Sequence, residues 1–143
     1  MDSARARLLE TQLKDTRIGE WTILRLIDHG KSAAVFEATN GSKPAAVKVF
    51  DKELIERFGD TVQLERIERE VSLKGRGHPR MVEILDGGYD TASKNHFIVM
   101  AFLKGSNLKR RLKEVPIEAI GKFIEDIAAC AEYLETLEMA HRC

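Results

Sequence analysis

Short runs of apolar and β-branched residues divide the first two thirds of the chain and predict β-strands. Five such runs occur, at 21–27, 34–39, 45–50, 81–85 and 96–102. Asn40-Gly41, between the second and third runs, is a dipeptide typical of a tight hairpin. We interpret the segment around Gly87-Gly88, between the last two runs, as a turn. The short connections between the first three strands predict an antiparallel meander.

Between the third and fourth strands the apolar period changes to that of a helix, over residues 60–74. The residues that share one helical face are Leu64, Ile67, Val71 and Lys74. Glu70 stands beside this face, and a carboxylate near a buried face is costly unless a cation meets it. The sequence therefore predicts a helix whose glutamate has a positively charged partner.

Three further segments favour helix. Ser106 is a suitable N-cap for a short basic helix at 107–113, and Pro116 suits the first turn of a long one. The apolar positions of that long helix recur every three or four residues: Ile117, Ile120, Ile124, Ile127, Ala131 and Leu134. Residues 2–15 form either a short leading helix or a frayed tail, because short isolated helices are marginal.

Composition narrows the class of protein. The 143 residues suffice for one compact domain, with 43% hydrophobic and 32% charged residues. Lys+Arg and Asp+Glu both number 23, which argues against a nucleic-acid or membrane-surface partner. Cys130 and Cys143 form no metal-ligand motif and favour a reducing compartment. We expect a cytoplasmic protein with no metal site, no signal peptide and no membrane span.

A lysine inside an apolar strand is the strongest candidate for chemistry. Lys48 lies between Val47 and Val49 in the apolar run 45–50, although lysine is rarely buried. It is either the positively charged partner of Glu70 or a snorkelling side chain on an edge strand. Glu65 and Glu68 are fallback partners on the same helix, and a solvated surface role for Glu70 is the alternative.

These segments, in this order, resemble the small lobe of a protein kinase followed by the first helices of its large lobe. Ala45–Lys48 matches the family's V-A-I-K strand, and His78-Pro79 resembles its H-P-N turn. Of the three glycines of the phosphate loop, only Gly30 is present in the aligned residues 28–35. His141-Arg142 resembles the start of the H-R-D motif, with Cys143 at the position of the catalytic aspartate.

The resemblance implies ATP as the ligand, with Lys48 at its α- and β-phosphates and Glu70 holding that lysine. Met100 is then the gatekeeper behind the adenine, while Ala101 and Leu103 offer backbone hydrogen bonds to its edge. The residues implied in nucleotide binding are Ile27, Gly30, Val35, Ala46, Lys48, Glu70, Met100, Ala101 and Leu103. A plain buried strand at 96–102 and an ordinary hairpin turn at Gly30 are the structural alternatives.

The implied fold class is α+β: a five-stranded antiparallel small lobe with one αC-type helix, followed by two helices of an incomplete large lobe. The implied domains are an N-terminal helix or tail (1–17), the small lobe (18–104) and the start of the large lobe (105–143). His141 and Arg142 are expected to be structural.

The implied function is that of a truncated Ser/Thr-type kinase domain. The sequence lacks the catalytic aspartate, the metal-binding asparagine and D-F-G, so we expect weak ATP binding, no autonomous phosphotransfer, and magnesium only in a complete kinase. A frameshift, a truncated gene or an engineered cut explains Cys143 better than a substitution does. The apolar stripe 117–134 is expected to drive self-association. A non-catalytic interaction module and a small-molecule phosphotransferase are the alternative functions.

Overall fold

The computed structural model describes residues 1–58, 60–105 and 111–139. Its helices are α1 (Ser3–Leu13), α2 (Lys52–Phe58), α3 (Asp60–Val71) and α4 (Ile117–Thr136), with a short 3-10 helix at Leu112–Glu114. Its strands are β1 (Arg17–Ile18), β2 (Trp21–His29), β3 (Ala33–Thr39), β4 (Pro44–Phe50), β5 (Ile84–Asp90) and β6 (Asn95–Ala101). They form one antiparallel sheet in the order β1-β2-β3-β4-β6-β5.

The chain divides into two compact units. The first comprises Met1–Arg76 and Glu83–Phe102 and holds the sheet with α1, α2 and α3. The second comprises Gly77–Val82 and Leu103–Cys143 and holds α4.

One face of the sheet is covered by α1. Alternate residues of the central strands point to this face, since side chains in a strand alternate with a period of two. They form a core with Leu9 and Leu13 of α1. The strand residues of this core are Ile18, Trp21, Ile23, Ala34, Phe36, Ala38, Ala45, Val47, Val49, Phe97 and Val99. The N-terminal segment is therefore a helix integrated into the first unit, not a frayed tail.

The opposite face packs against α2 and α3. Its buried residues are Ala33, Phe50, Ile55, Ile67, Ile84 and Ile98, with Leu64, Val71, Leu73 and Met100 packed against them. Ile67, Leu64 and Val71 are the apolar residues whose helical spacing predicted α3. Both faces of the sheet are thus buried, each by a different part of the chain.

The α+β class and the antiparallel meander are confirmed, while three details differ from the expectation. The sheet has six strands among the described residues, because the two-residue β1 pairs with the start of β2. β5 begins at Ile84 and includes both Gly87 and Gly88, which we expected in a turn. Two helices, not one, are described between β4 and β5, since α2 precedes α3 and buries Ile55.

In the second unit, the segment 77–82 packs on α4. The rings of His78 and Tyr133 stack with centroids 5.0 Å apart, and Arg80 Nε lies 3.0 Å from Asp126 Oδ1. The free thiol Sγ of Cys130 lies 3.3 Å from the carbonyl oxygen of Arg80. The chain therefore uses one side of α4 for specific polar and stacking contacts within this unit.

Another part of α4 exposes large apolar side chains. The exposed residues are Ile117, Ile120, Phe123, Ile124 and Ile127. Leu134 is buried, contrary to the expectation that the whole stripe 117–134 is exposed, because α4 is packed near its C-terminal end. The expected Ser106 cap and most of the 107–113 helix lie outside the described residues. No described helix combines the length and apolarity that crossing a membrane requires.

Candidate functional site

The side chain of Lys48, on strand β4, points to the face of the sheet that packs against α3, here called the α3 face. Lys48 is paired with Val35 of β3 on one side and with Ile98 of β6 on the other. β4 is therefore an interior strand, so Lys48 is not the snorkelling residue of an edge strand. Its neighbours Val47 and Val49 point to the α1 face and are fully buried.

Glu70 of α3 meets this lysine. Lys48 Nζ donates hydrogen bonds to both carboxylate oxygens of Glu70, at 3.1 Å to Oε1 and 2.8 Å to Oε2. The Nζ also lies 4.9 Å from the centre of the Phe50 ring. The two side chains remain 26% and 41% exposed, so the ion pair contributes at most about 1 kcal/mol to stability. Its main consequence is a cation held in one place with access to solvent.

Of the fallback partners, Glu65 lies 3.8 Å from Arg69 on the same helix and is exposed. The structure thus brings Lys48 to Glu70, the residue that the helical pattern favoured. Placing this glutamate correctly requires that α3 approach the sheet closely.

Gly87 of β5 permits that approach. A Cβ atom at Gly87 would lie 2.6 Å from Val71 Cγ2 and 3.1 Å from the carbonyl oxygen of Phe97. Lys74 Nζ and Asp86 Oδ1, 2.8 Å apart, join the residues after α3 to the same strand. Sequence reasoning missed both contacts, although a glycine inside a strand is a known signal of close backbone approach.

The loop that carries the single glycine is a tight turn between β2 and β3. Gly30 N donates to the carbonyl oxygen of Ala33 at 2.9 Å, and Asp28 accepts the amide N–H of His29 at 2.9 Å. Nothing lies within 4 Å of the position of a Cβ at Gly30, so the surface above this residue is open. Ile27 precedes the turn at a register shift in β2 and is half-buried.

Three of the candidate adenine residues, Ala46, Met100 and Ala101, lie on the neighbouring strands β4 and β6. Ala46 is buried and paired with Met100, which is half-buried. Ala101 N donates to the carbonyl oxygen of Glu83 at 2.9 Å, leaving only the carbonyl of Ala101 as a candidate contact to a base. Leu103 belongs to the second unit and is 71% exposed.

The remaining candidates lie outside the described residues: His141, Arg142 and Cys143. In the described ranges, no three His, Cys, Asp or Glu side chains are grouped so as to hold a metal ion.

Known proteins similar to this chain are kinases. A CBL-interacting protein kinase 30 of rice (Oryza sativa subsp. japonica) is 29% identical over 141 residues, covering 94% of this chain and 29% of the rice protein. The CBL-interacting serine/threonine-protein kinase 19 of Arabidopsis thaliana is 32% identical over 87% of this chain and 26% of its own length. The chain therefore spans less than a third of these relatives.

Solved structures agree on the fold. The kinase domain of Mycobacterium tuberculosis PknI superimposes with a TM-score of 0.76 at 18% identity, over 90% of this chain and 53% of that chain. The family model for protein tyrosine and serine/threonine kinases matches residues 21–143. This chain belongs to the protein tyrosine and serine/threonine kinase family and corresponds to part of a kinase domain.

Proposed function

We propose that this chain is the nucleotide-binding part of a Ser/Thr-type protein kinase domain. The observation that carries the proposal is the Lys48–Glu70 pair, with Nζ 2.8 Å from Oε2 on the face of the sheet that packs against α3. Residues 18–104 form the ATP-binding lobe in this proposal, and residues 105–143 form the beginning of the second lobe. A cytoplasmic location fits the free thiol of Cys130.

Each residue of the proposed site has a role in nucleotide binding that follows from the charge or polarity of its side chain or backbone. Lys48 neutralises phosphate charge, and Glu70 keeps the ammonium group from turning away. Gly30 leaves an open surface for the phosphates, while Val35, Ala46 and Ile27 provide apolar contact to the base. Met100 and the carbonyl of Ala101 form the adenine edge of the proposed site.

We propose that the 143-residue segment, taken by itself, binds ATP but does not transfer its phosphoryl group. Phosphoryl transfer requires a residue that accepts the proton of the substrate hydroxyl and carboxylates that hold Mg²⁺. The segment contains no D-x-x-x-x-N or D-F-G motif after His141-Arg142. We propose that ATP binds weakly here and that Mg²⁺ has its usual ligands only in a complete kinase domain.

The test is to titrate the purified 143-residue chain with ATP and follow its unfolding temperature and the heat of binding. We expect a rise in unfolding temperature with ATP, since ligand binding to the native state stabilises it. An assay with radiolabelled ATP and a generic protein substrate should show no transfer above background. Absence of any ATP-dependent shift would refute the nucleotide site, and turnover by the chain alone would refute the proposed lack of transfer.

A second candidate function, a non-catalytic interaction module, is favoured by one observation. Ile117, Ile124 and Ile127 of α4 are 81%, 63% and 66% exposed, and a group of exposed apolar side chains on one helix is typical of an association surface. We propose that the 143-residue segment associates with itself through the exposed positions 117–127.

The change that tests this association is Ile124→Glu, which places a charge in the centre of the apolar surface. We expect the wild-type chain to sediment as dimers or larger species and the variant to shift toward the monomer. Glu132→Gln, at an exposed polar position of the same helix, is the matched control and should leave the distribution unchanged. A monomeric wild-type chain at high concentration in sedimentation and light scattering contradicts the proposal.

A further inference from the structure

The outer edge of β2 is held by α1 and its linker instead of by a strand. β1 pairs only with Trp21 and Thr22, so the described part of β2 beyond these residues has no strand partner on that side. Ile23 exchanges hydrogen bonds with the linker, accepting from Asp15 N at 2.8 Å and donating to Thr16 O at 2.9 Å. Unpaired N–H groups on a sheet edge need other acceptors.

Further along this edge, a side chain of α1 completes the pairing. Leu26 N donates to Glu10 Oε1 at 2.7 Å. Leu26 lies between two register shifts of β2, one at Ile23/Arg25 and one at Leu26/Asp28. The pairing of β2 with β3 is therefore irregular on both sides of Leu26. The hydrogen bond to the carboxylate of Glu10 holds the backbone of β2 in place between the two irregularities.

The position and the charge of Glu10 suit it to hold the backbone of Leu26. α1 is anchored by Leu9 and Leu13 in the core, and Arg5 Nε lies 3.2 Å from the buried carboxylate of Asp51 just after β4. The hydrogen bond from the backbone of Leu26, together with the nearby Arg7, holds the pKa of Glu10 below its usual range despite some desolvation. The acceptor is therefore a carboxylate at neutral pH.

The position of this contact connects it to the candidate nucleotide site. Ile27, the next residue, is proposed to contact the base, and Gly30 follows three residues later. At the tip of the same segment, Ser3 Oγ lies 3.1 Å from His29 Nε2. α1 thus contacts the β2 segment that leads into the glycine turn at two points, Leu26 and His29.

We infer that α1 is a positioning element for nucleotide binding, and that Glu10 is its positioning residue through the hydrogen bond to Leu26. The inference rests on the proposed nucleotide site. α1 lies outside the residues that the kinase family model matches, which begin at Trp21. Glu10 does not contact the nucleotide itself and instead orders the strand that contacts it.

The test compares three substitutions at Glu10 by ATP titration calorimetry and by amide hydrogen exchange at Leu26. Glu10→Ala removes the acceptor and should weaken ATP binding about three- to tenfold, corresponding to one lost hydrogen bond. Glu10→Asp keeps the charge but is one methylene shorter, so it should weaken binding similarly. Glu10→Gln keeps an acceptor oxygen at the same reach and should recover most of the affinity.

The matched control is Arg7→Ala. Arg7 Nη1 lies 3.1 Å from Glu10 Oε2 but is 76% exposed, so its loss removes the ion pair and leaves the hydrogen bond to Leu26. We expect wild-type ATP affinity and wild-type exchange at Leu26 for this variant. Exchange at Leu26 should be faster in Glu10→Ala and Glu10→Asp, while amides of the buried β4 strand exchange as in the wild type.

The outcomes separate this inference from the proposed function. If the wild-type chain does not bind ATP, the nucleotide site fails, and unchanged exchange at Leu26 in Glu10→Ala would then overturn the positioning role as well. If the wild type binds ATP and a folded Glu10→Ala or Glu10→Asp variant binds it equally well, only the positioning role is overturned. Should Glu10→Ala fail to fold, the contrast between Glu10→Asp and Glu10→Gln decides the question.

Discussion

Lys48→Ala is expected to remove the ATP-dependent rise in unfolding temperature and to weaken ATP binding by at least tenfold. The lysine provides the cation that meets the phosphates, and a hydrogen bond to a charged group contributes about 1.5–3 kcal/mol. That range corresponds to a ten- to hundredfold change in the dissociation constant. Titration calorimetry of the wild type and the variant measures the difference directly.

Lys48→Ala should have little effect on the fold itself, because the Lys48–Glu70 ion pair is partly exposed and contributes at most about 1 kcal/mol. The control is Lys43→Ala, which removes an exposed lysine from the turn before the same strand and should bind ATP as the wild type does. Glu70→Gln should have a smaller effect than Lys48→Ala, since the cation remains but loses its charged partner. Equal ATP affinity of the wild type and Lys48→Ala contradicts the assignment of the site.

Leu9→Ala is expected to lower the free energy of unfolding by about 3 kcal/mol. Leu9 is 8% exposed and packs into the core that α1 forms with the sheet, and truncation of a buried leucine leaves a cavity in addition to losing transfer free energy. Urea unfolding followed by the fluorescence of Trp21, the single tryptophan and a member of the same core, measures the change. The large effect is expected because Leu9 of α1 packs directly into the core on this face of the sheet.

The adjacent Leu8 provides the control for this prediction. Leu8 is 49% exposed, so Leu8→Ala has the same composition change and the same small gain in helix propensity without a core cavity. We expect Leu8→Ala to change the free energy of unfolding by less than about 0.5 kcal/mol. Equal stability of the two variants would mean that α1 does not close the core.

Local patterns in the sequence determined much of the sheet and of the candidate site. The strands around Lys48 could be predicted because β2, β3 and β4 alternate or run apolar and are joined by short turns such as Asn40-Gly41. Glu70 could be proposed as the partner because helical spacing placed it beside the buried face of α3. Both inferences depend only on periodicity within one element.

Elements that are stabilised by distant contacts escaped prediction. The helix α2 has seven residues and little pattern of its own, but its Ile55 is buried against Ile67 and Phe50 in the core on the α3 face. The glycines of β5 suggested a turn, whereas Gly87 lies in a strand that pairs with β6, and Val71 of α3 occupies the space of its missing side chain. In each case the deciding partner is far away in the chain.

The sequence by itself therefore determined the order and period of the main strands and of α3 and α4, and the two charged residues that pair between β4 and α3. The tertiary structure decided whether residues 2–15 fold as a helix, how closely α3 approaches β5, and which side chain satisfies Leu26 N. The physical reason is that hydrophobic periodicity is a property of neighbouring residues, whereas burial of Leu9 and the bond from Leu26 to Glu10 exist only once α1 lies on the sheet. A sequence pattern contains no information on which of several polar side chains reaches an unpaired edge N–H.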